Sequence, residues 1–401
     1  MKYDVLHLIG SNLVGGPEKQ ILHHAVDMQN SDYRLSIGSF HDLSDRPEVL
    51  VAAEQRNIPT VCLPGGIHLD LVHRLSRILA ARKGSLLCTH GFKANVVGYL
   101  AARRTNTQHV AFVRGFTAEN KRVIFYEILE RQALKRAQRV VCVSEKQAEQ
   151  IAALRGNRRP PMVVKNAMLP PYSRQHDSEP ASRKGIGIPD NAFVFGSVGR
   201  LSTEKGHRFM ISAFHQLCSQ ALADAPLFLV VVGDGHEQKP LEQQAAQLGI
   251  RERVYFAGFQ GNCTEWMQLL DCIVQPSLTE GTPNTVLEAL CLKIPVIASA
   301  VGGVPDLIVD GRNGLLVPPA DVPELAAAMK RIWLHPELRC QLTSGTEDLL
   351  KEFQPAYQRQ RLIDVYEEVF QERRSGGTLL SESRIALHFH PRRRTDHDHR
   401  P

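Results

Sequence analysis

The stretch PSLTEGTPNTVLEALCL, residues 276–292, decides how the chain is read. It follows the apolar run Cys272-Ile273-Val274, which predicts a buried strand, and it opens a helix for which Pro283 suits the first position with Thr282 as cap. In such a strand–loop–helix the backbone amides of Gly281, Thr282, Asn284 and Thr285 lack partners and sit at the positive end of a helix dipole. That is a seat for an anion. Two acids flank it with seven residues between them: Glu280 in the loop, and Glu288 about 9 Å up the helix from Thr282. A carboxylate repels a phosphate, so these acids suit hydrogen bonds from sugar hydroxyls on either side of a diphosphate. A capped surface helix with solvated acids is the alternative that the stretch alone leaves open.

Working outward, 401 residues exceed what one core usually supports and predict two domains. The eight cysteines form no C-x-x-C pair and sit mostly in apolar runs, the pattern of buried thiols in a reducing compartment. No run approaches the roughly 18 apolar residues of a membrane span, and Met1-Lys2-Tyr3-Asp4 opens no signal-peptide pattern, so a cytoplasmic placement is expected. The net charge of +6 hides an asymmetry. Residues 1–170 carry 24 Lys and Arg against 14 Asp and Glu, whereas residues 171–401 carry 24 against 28. The first half is therefore expected to face an anionic partner, at the inner face of a membrane and not a nucleic acid.

Residues 3–10 form an apolar run that breaks at Gly15-Gly16, after which Pro17-Glu18 begins a helical pattern. Two adjacent glycines let backbone approach a ligand closely, although a plain tight turn reads equally well. Their spacing is not G-x-G-x-x-G, which argues against a nicotinamide-dependent dehydrogenase. Further strands are predicted near 33–39, 59–63, 85–89, 109–113 and 139–143, separated by helices. Strand–helix alternation implies a parallel sheet covered on both faces, with ligands at the carboxyl ends of its strands. Two loops there carry polar residues: Thr89-His90-Gly91 and Arg114-Gly115-Phe116-Thr117. The stretch from Lys121 to Arg139 sets Arg122, Arg131, Lys135 and Arg136 beside Phe125, Ile128 and Leu129, a composition that suits either anionic lipid headgroups or an ordinary helix packed on a sheet.

A Pro- and Ser-rich stretch then lacks periodicity, and the alternation restarts with strands near 193–199, 227–233, 253–257, 272–275, 295–299 and 314–317. The expected division is a first Rossmann-like domain over 1–170, a linker over 171–190, a second domain of the same class over 191–355, a helix over 356–374 and a disordered tail over 375–401. In the second domain the strand 193–199 ends in Gly199-Arg200, and Lys205 follows on the same short loop. Two cations at one sheet edge can neutralise a diphosphate and stabilise it as a leaving group. Gly233-Asp234-Gly235 and Gly302-Gly303 end two further strands, and this concentration favours the anion site over the surface helix.

Taken together, GSVGRLSTEKG, VVVGDG, VYFAGF, PSLTEGTPNTVLEAL and PVIASAVGGVPDLI resemble the nucleotide-sugar domain of the family 4 glycosyltransferases. The resemblance covers about residues 1–372 and implies a GT-B fold: two Rossmann-like domains facing across a cleft, the C-terminal helix packing back on the first. It implies sugar transfer from a nucleoside-diphosphate donor to a glycan or lipid-linked acceptor, with retention at the anomeric carbon and neither metal nor cofactor. It also implies that Arg200 and Lys205 hold the donor diphosphate, Glu280 contacts the sugar and Glu288 the ribose. Gly281 and Thr282 would bind phosphate or sugar through their amides, the Gly15-Gly16 loop would close over the donor, and Phe259 would border the base. The chain departs from the family pattern in having Arg114-Gly115 where a His-Gly pair is common, which makes His90 the substitute for the acceptor-side histidine. Asp306 stands in place of Glu, and Asn166-Ala167 in place of Asn-Gly. A non-catalytic nucleotide-sugar-binding subunit and a GT-B epimerase are the rival readings.

Overall fold

The computed structural model describes residues 3–11, 14–41, 46–64, 68–113, 121–169, 182–221, 225–344 and 351–374. In the first sheet region, strands β1 (Tyr3–Ile9), β2 (Tyr33–His41), β3 (Thr60–Pro64), β4 (Leu86–His90), β5 (Gln108–Val113), β6 (Arg139–Cys142) and β7 (Met162–Val163) alternate with helices. These are α1 (Gly16–Asp27), α2 (Glu48–Glu54), α3 (His68–Ala81), α4 (Phe92–Thr105), α5 (Lys121–Arg136) and α6 (Glu145–Arg155). The second region contributes β8 (Phe193–Val198), β9 (Leu227–Val232), β10 (Val254–Gly258), β11 (Cys272–Gln275), β12 (Val296–Ser299) and β13 (Leu315–Val317). Its helices are α7 (His207–Gln220), α8 (Gln238–Gln247), α9 (Cys263–Met267), α10 (Asn284–Cys291), α11 (Val304–Leu307), α12 (Val322–Leu334) and α13 (Pro336–Ser344), and α14 (Pro355–Arg374) ends the described chain.

All strands pair in parallel, in the orders β3-β2-β1-β4-β5-β6-β7 and β10-β9-β8-β11-β12-β13. Each order reverses once, between β1 and β4 and between β8 and β11, and the chain leaves a crevice at the carboxyl ends of those strands. Ile9 is in register with His90 at the first reversal. At the second, the loops after Val198 and Gln275 carry Arg200, Lys205 and Glu280. The predicted strands are thus present, and β7 is an added short edge strand.

The cores explain why the strands read as apolar runs. Phe195, Leu229, Val231 and Val274 pack under α7 and α12 on one face of the second sheet, while Val194, Val230, Ile273 and Val296 meet α10 on the other. Both faces are covered, so nothing in these strands alternates with solvent. Helix α14 returns to the first sheet, where Leu362, Val365, Tyr366, Val369 and Phe370 join Val5, Ile9, Leu35, Phe112 and Val141 in one core.

The same helix corrects the reading of the basic stretch 121–139. Helix α5 stops at Arg136; Arg139 lies on β6, is 6% exposed and pairs with Glu368 and Glu372 of α14. Its charge holds two parts of the chain together and faces no outside partner. Arg114 and the tail 375–401 lie outside the described residues.

Candidate active site

The N-terminus of α10 is the centre of the site. Its first bond runs from the Leu287 amide to the Pro283 carbonyl at 3.3 Å, so the amides of Asn284 and Thr285 have no acceptor inside the helix. The cap differs from expectation. Pro283 takes the capping position, and Thr282 donates its hydroxyl to the Val143 carbonyl, 2.6 Å away just past β6. A hydroxyl engaged across the two sheets cannot close its own helix turn, and the result is a helix end clamped to the first domain.

Three further contacts make that clamp. Asn166 Nδ2 donates to the Thr282 carbonyl at 3.0 Å and to Asn284 Oδ1 at 3.1 Å. Gln20 Nε2 on α1 donates to the same Oδ1 at 3.2 Å and to the Ala167 carbonyl at 2.8 Å, while its Oε1 accepts from the Ala167 amide. Opposite them, Gly15 precedes α1, its amide bonded to Glu18 Oε2 at 3.0 Å, and a Cβ placed on Gly16 would fall 2.2 Å from Asn284 Nδ2. Gly16 therefore abuts the N-terminus of α10 directly.

The cations and acids come together in pairs. Lys205 Nζ lies 2.7 Å from Glu280 Oε1, and that oxygen also accepts from Gln275 Nε2 and Ser277 Oγ, each at 2.7 Å. Glu280 is thus held through one oxygen, and Oε2 has no protein partner among the described residues. Its backbone is fixed as well: Gly302, at φ +55°, packs so closely that a Cβ would fall 1.8 Å from the Glu280 carbonyl. Arg200, with 56% of its side chain exposed, meets Glu204 Oε1 at 2.7 Å. Burial would raise the Glu204 carboxyl, but hydrogen bonds from Ser202, its own backbone and Arg200 outweigh burial and hold it below the usual range. Beneath Lys205, burial and then the Lys205 charge push His207 down to about 4, so the imidazole is neutral and adds no positive charge there.

Glu288 sits half-buried on α10, where burial raises its pKa against the opposing charge of Lys19 on α1. Phe259, just past β10, is 68% exposed and free to stack. Gly281 turns its carbonyl to the Gly303 amide at 2.8 Å. Asp306 on α11 is raised by burial, with Lys165 opposing. His90 ends β4 only 4% exposed, stacked on Phe112 with ring centroids 4.4 Å apart and with Nε2 2.9 Å from His7 Nδ1. It borders a cavity of about 20 Å³ whose wall includes Gln20 and Asn166, the two amides that reach Asn284. Among the described residues no group of three or more His, Cys, Asp or Glu is arranged to hold a metal ion.

Sequence reasoning missed Gln20, Asn284 as a side chain, His7 and Tyr366. Gln20 falls on the predicted α1 pattern and reads as solvated; only its pairing with Ala167, 147 positions away, makes it structural.

Residues 178–348 match the family described as Glycosyl transferases group 1, and residues 15–167 match the Glycosyl transferase 4-like domain. The chain is 33% identical over 231 residues to the 2-deoxystreptamine glucosyltransferase of Streptomyces kanamyceticus, a match spanning 56% of this chain and 59% of that one. It is 26% identical over 289 residues to the UDP-Gal:alpha-D-GlcNAc-diphosphoundecaprenol alpha-1,3-galactosyltransferase of Escherichia coli, over 69% of this chain and 73% of that one. The crystal structure of Anabaena HepE in complex with UDP-glucose superposes with a TM-score of 0.77 at 22% identity, covering 91% and 99% of the two chains. With two parallel-sheet domains of GT-B architecture and both domain matches in the expected order, the chain belongs to the family 4 glycosyltransferases.

Proposed function

We propose that the protein transfers a sugar from a nucleoside-diphosphate donor to a hydroxyl of a glycan or lipid-linked acceptor, with retention at the anomeric carbon and without a metal. The observation that carries this reading is what surrounds the open amides of α10. Gly16 of the first domain abuts Asn284 there, the Lys205–Glu280 pair is set in the loop leading into that helix, and Arg200 lies on the same short loop as Lys205.

In this reading the donor diphosphate lies on the α10 amides, with Arg200 and Lys205 taking up charge as it departs. Glu280 is anchored through Oε1 and offers Oε2 to a donor-sugar hydroxyl; Glu288, with its raised pKa, accepts from the ribose. Thr282 holds the helix end in place through Val143. The acceptor oxygen attacks on the face that the diphosphate leaves, and a diphosphate oxygen takes the acceptor proton, so no protein nucleophile is needed. Residues 1–170 form the acceptor side and 191–355 the donor side. The named activities of the relatives differ in sugar and acceptor, which supports the transfer reaction and leaves the sugar to experiment.

The test is a thermal-shift screen against UDP-, GDP- and ADP-sugars, since a ligand that binds only the folded state raises Tm by mass action. One nucleotide class should raise Tm in wild type and fail to do so in Arg200→Ala. A screen in which none of the three classes shifts Tm would overturn the donor assignment.

A further inference from the structure

Asn284, the first residue of α10, extends its side-chain amide toward the first domain, where Oδ1 accepts from Gln20 Nε2 at 3.2 Å and from Asn166 Nδ2 at 3.1 Å. We infer that Asn284 is a further donor-binding residue, its amide fixed by the positioning residues Gln20 and Asn166 so that Nδ2 presents its N–H groups to an oxygen of the bound diphosphate. This rests on the reading of the α10 N-terminus as the diphosphate seat given above.

Which way each amide faces follows from a count of donors and acceptors, because peptide groups sit at the ends of the network and their roles are fixed. A peptide N–H only donates and a carbonyl only accepts. The Ala167 amide donates to Gln20 at 2.9 Å and the Ala167 carbonyl accepts from Gln20 at 2.8 Å, so Gln20 Oε1 and Nε2 are assigned without ambiguity. Gln358 Nε2 on α14 donates to that Oε1 at 3.0 Å and to the Lys165 carbonyl at 3.0 Å, which fills the acceptor. The second hydrogen of Gln20 Nε2 goes to Asn284. Asn166 is assigned in the same way, since its Nδ2 donates to the Thr282 carbonyl at 3.0 Å. Two N–H donors therefore meet Asn284 on one side, and only its Oδ1 can accept them.

Nδ2 is thereby turned away from both donors. It has no protein acceptor among the described residues, and Asn284 is only partly buried. Its neighbour on that side is Gly16, where a Cβ would fall 2.2 Å away, so the bare glycine leaves it room. The main-chain amides of Asn284 and Thr285 lack an acceptor inside the same helix, whose first bond is made by Leu287. Side-chain and main-chain N–H groups thus stand together at one helix end, and an anionic oxygen satisfies them best because charge-assisted bonds are the stronger ones. Both groups that orient Asn284 belong to the first domain. Nδ2 is therefore held in this direction only while α1 and the segment at Asn166 rest on α10, which ties recognition of the diphosphate to the closeness of the two domains.

The experiment is calorimetric titration of the full-length protein with UDP, GDP and ADP, in wild type, Asn284→Ala, Asn284→Asp, Gln20→Met and the double variant Gln20→Met/Asn284→Ala. The nucleotide that binds wild type best is expected to bind Asn284→Ala about tenfold more weakly. Asn284→Asp should weaken it about a hundredfold, because a carboxylate oxygen then replaces Nδ2 and repels the diphosphate. Without nucleotide, Tm should hold or rise in Asn284→Asp, since an acid is favourable at a helix N-terminus, and this separates lost binding from lost folding. Gln20→Met should weaken binding on its own and add nothing in the Asn284→Ala background, as a residue that acts through Asn284 must. Asn166→Ala takes its place if Gln20→Met does not fold. Undiminished affinity in Asn284→Asp overturns the inference and leaves the donor seat standing, and full additivity in the double variant likewise overturns it. Failure of all three nucleotides to bind wild type strikes the donor seat itself, and the inference with it.

Discussion

A Cβ placed on Gly16 would fall 2.2 Å from Nδ2 of Asn284, an amide whose Oδ1 is already held by Gln20 and Asn166. The side chain cannot swing away without losing both bonds, so the contact admits glycine only. Gly16→Ala is therefore expected to push the first-domain loop off the α10 N-terminus and to lower turnover about a hundredfold, with little change in Tm. Adding Asn284→Ala removes the obstructing amide and should recover part of the loss. Steady-state kinetics of the two single variants and the double variant check this; simple additivity would refute the steric account.

The charge pairs predict a split between activity and stability. Arg200→Ala, Lys205→Ala and Glu280→Ala should each lower kcat/KM by about a hundredfold or more. Their folding costs should differ. Arg200 is exposed and its loss should stay within about 0.5 kcal/mol. Removing Glu280 leaves Lys205, Gln275 and Ser277 without their shared acceptor and should cost about 1–3 kcal/mol. Denaturant melts beside turnover assays decide; near-normal rates in all three variants would sink the site assignment.

Because the proposed mechanism sets two side-chain cations, Arg200 and Lys205, against the diphosphate, turnover is expected to survive EDTA. Strict loss of activity in chelator, restored by Mn²⁺ or Mg²⁺, is the outcome that contradicts the mechanism.

How much of this was legible in the sequence depended on range. The strand ends with glycine and charge at Gly199-Arg200, Gly281 and Gly302-Gly303 declared themselves because buried parallel strands read as unbroken apolar runs and their terminations stand out. Thr282 misled, since a cap and a cross-sheet donor look alike until Val143, 139 positions earlier, is in place. Arg139 misled for the same reason: its partners Glu368 and Glu372 lie on a helix more than 200 residues away. The His7–Tyr366 contact spans 359 positions and has no local signature at all.

Glu130 on α5 supplies a pH prediction. It is 4% exposed, and burial pushes its carboxyl from 4.5 to about 7, against a hydrogen bond from Asn95 Nδ2 and with the Glu127 charge adding to the rise. The folded state thus holds this proton more tightly than the unfolded state. Its contribution to stability is full below about 4.5 and is lost as pH rises through about 7, by about 3 kcal/mol. The buried histidines His109 and His207, both pushed down to about 4, act with the opposite sign below 6.5, so the comparison must be a difference. Glu130→Gln keeps an acceptor for Asn95 and loses the ionisation. Urea melts at pH 5 and pH 8 should show it gaining on wild type as pH rises; an equal gap at both values would remove Glu130 from the pH response.

The last prediction concerns where the acceptor is met. The first 170 residues carry the positive excess, and the structure refines which of these charges face outward. Arg139 is spent on α14, whereas Arg103 and Arg104 on α4 and Arg131 and Arg136 on α5 are exposed. They share the packed α4–α5 pair with exposed Leu100 and Ile128, and with Phe92 stacked on Tyr126 at 5.2 Å. Among the described residues no helix is long and apolar enough to cross a membrane. Each basic residue reaching an anionic leaflet contributes about 1 kcal/mol, and four together suffice for reversible binding at low salt. The protein should sediment with anionic vesicles at low salt, not with neutral ones, and be released as added salt shortens the Debye length. Reversing Arg103, Arg104, Arg131 and Arg136 to Glu should abolish the interaction, and deleting 375–401 with its Arg392-Arg393-Arg394 should leave it largely intact. Equal, negligible sedimentation of the tail-deleted protein with both lipids in every condition would return the acceptor to the soluble class.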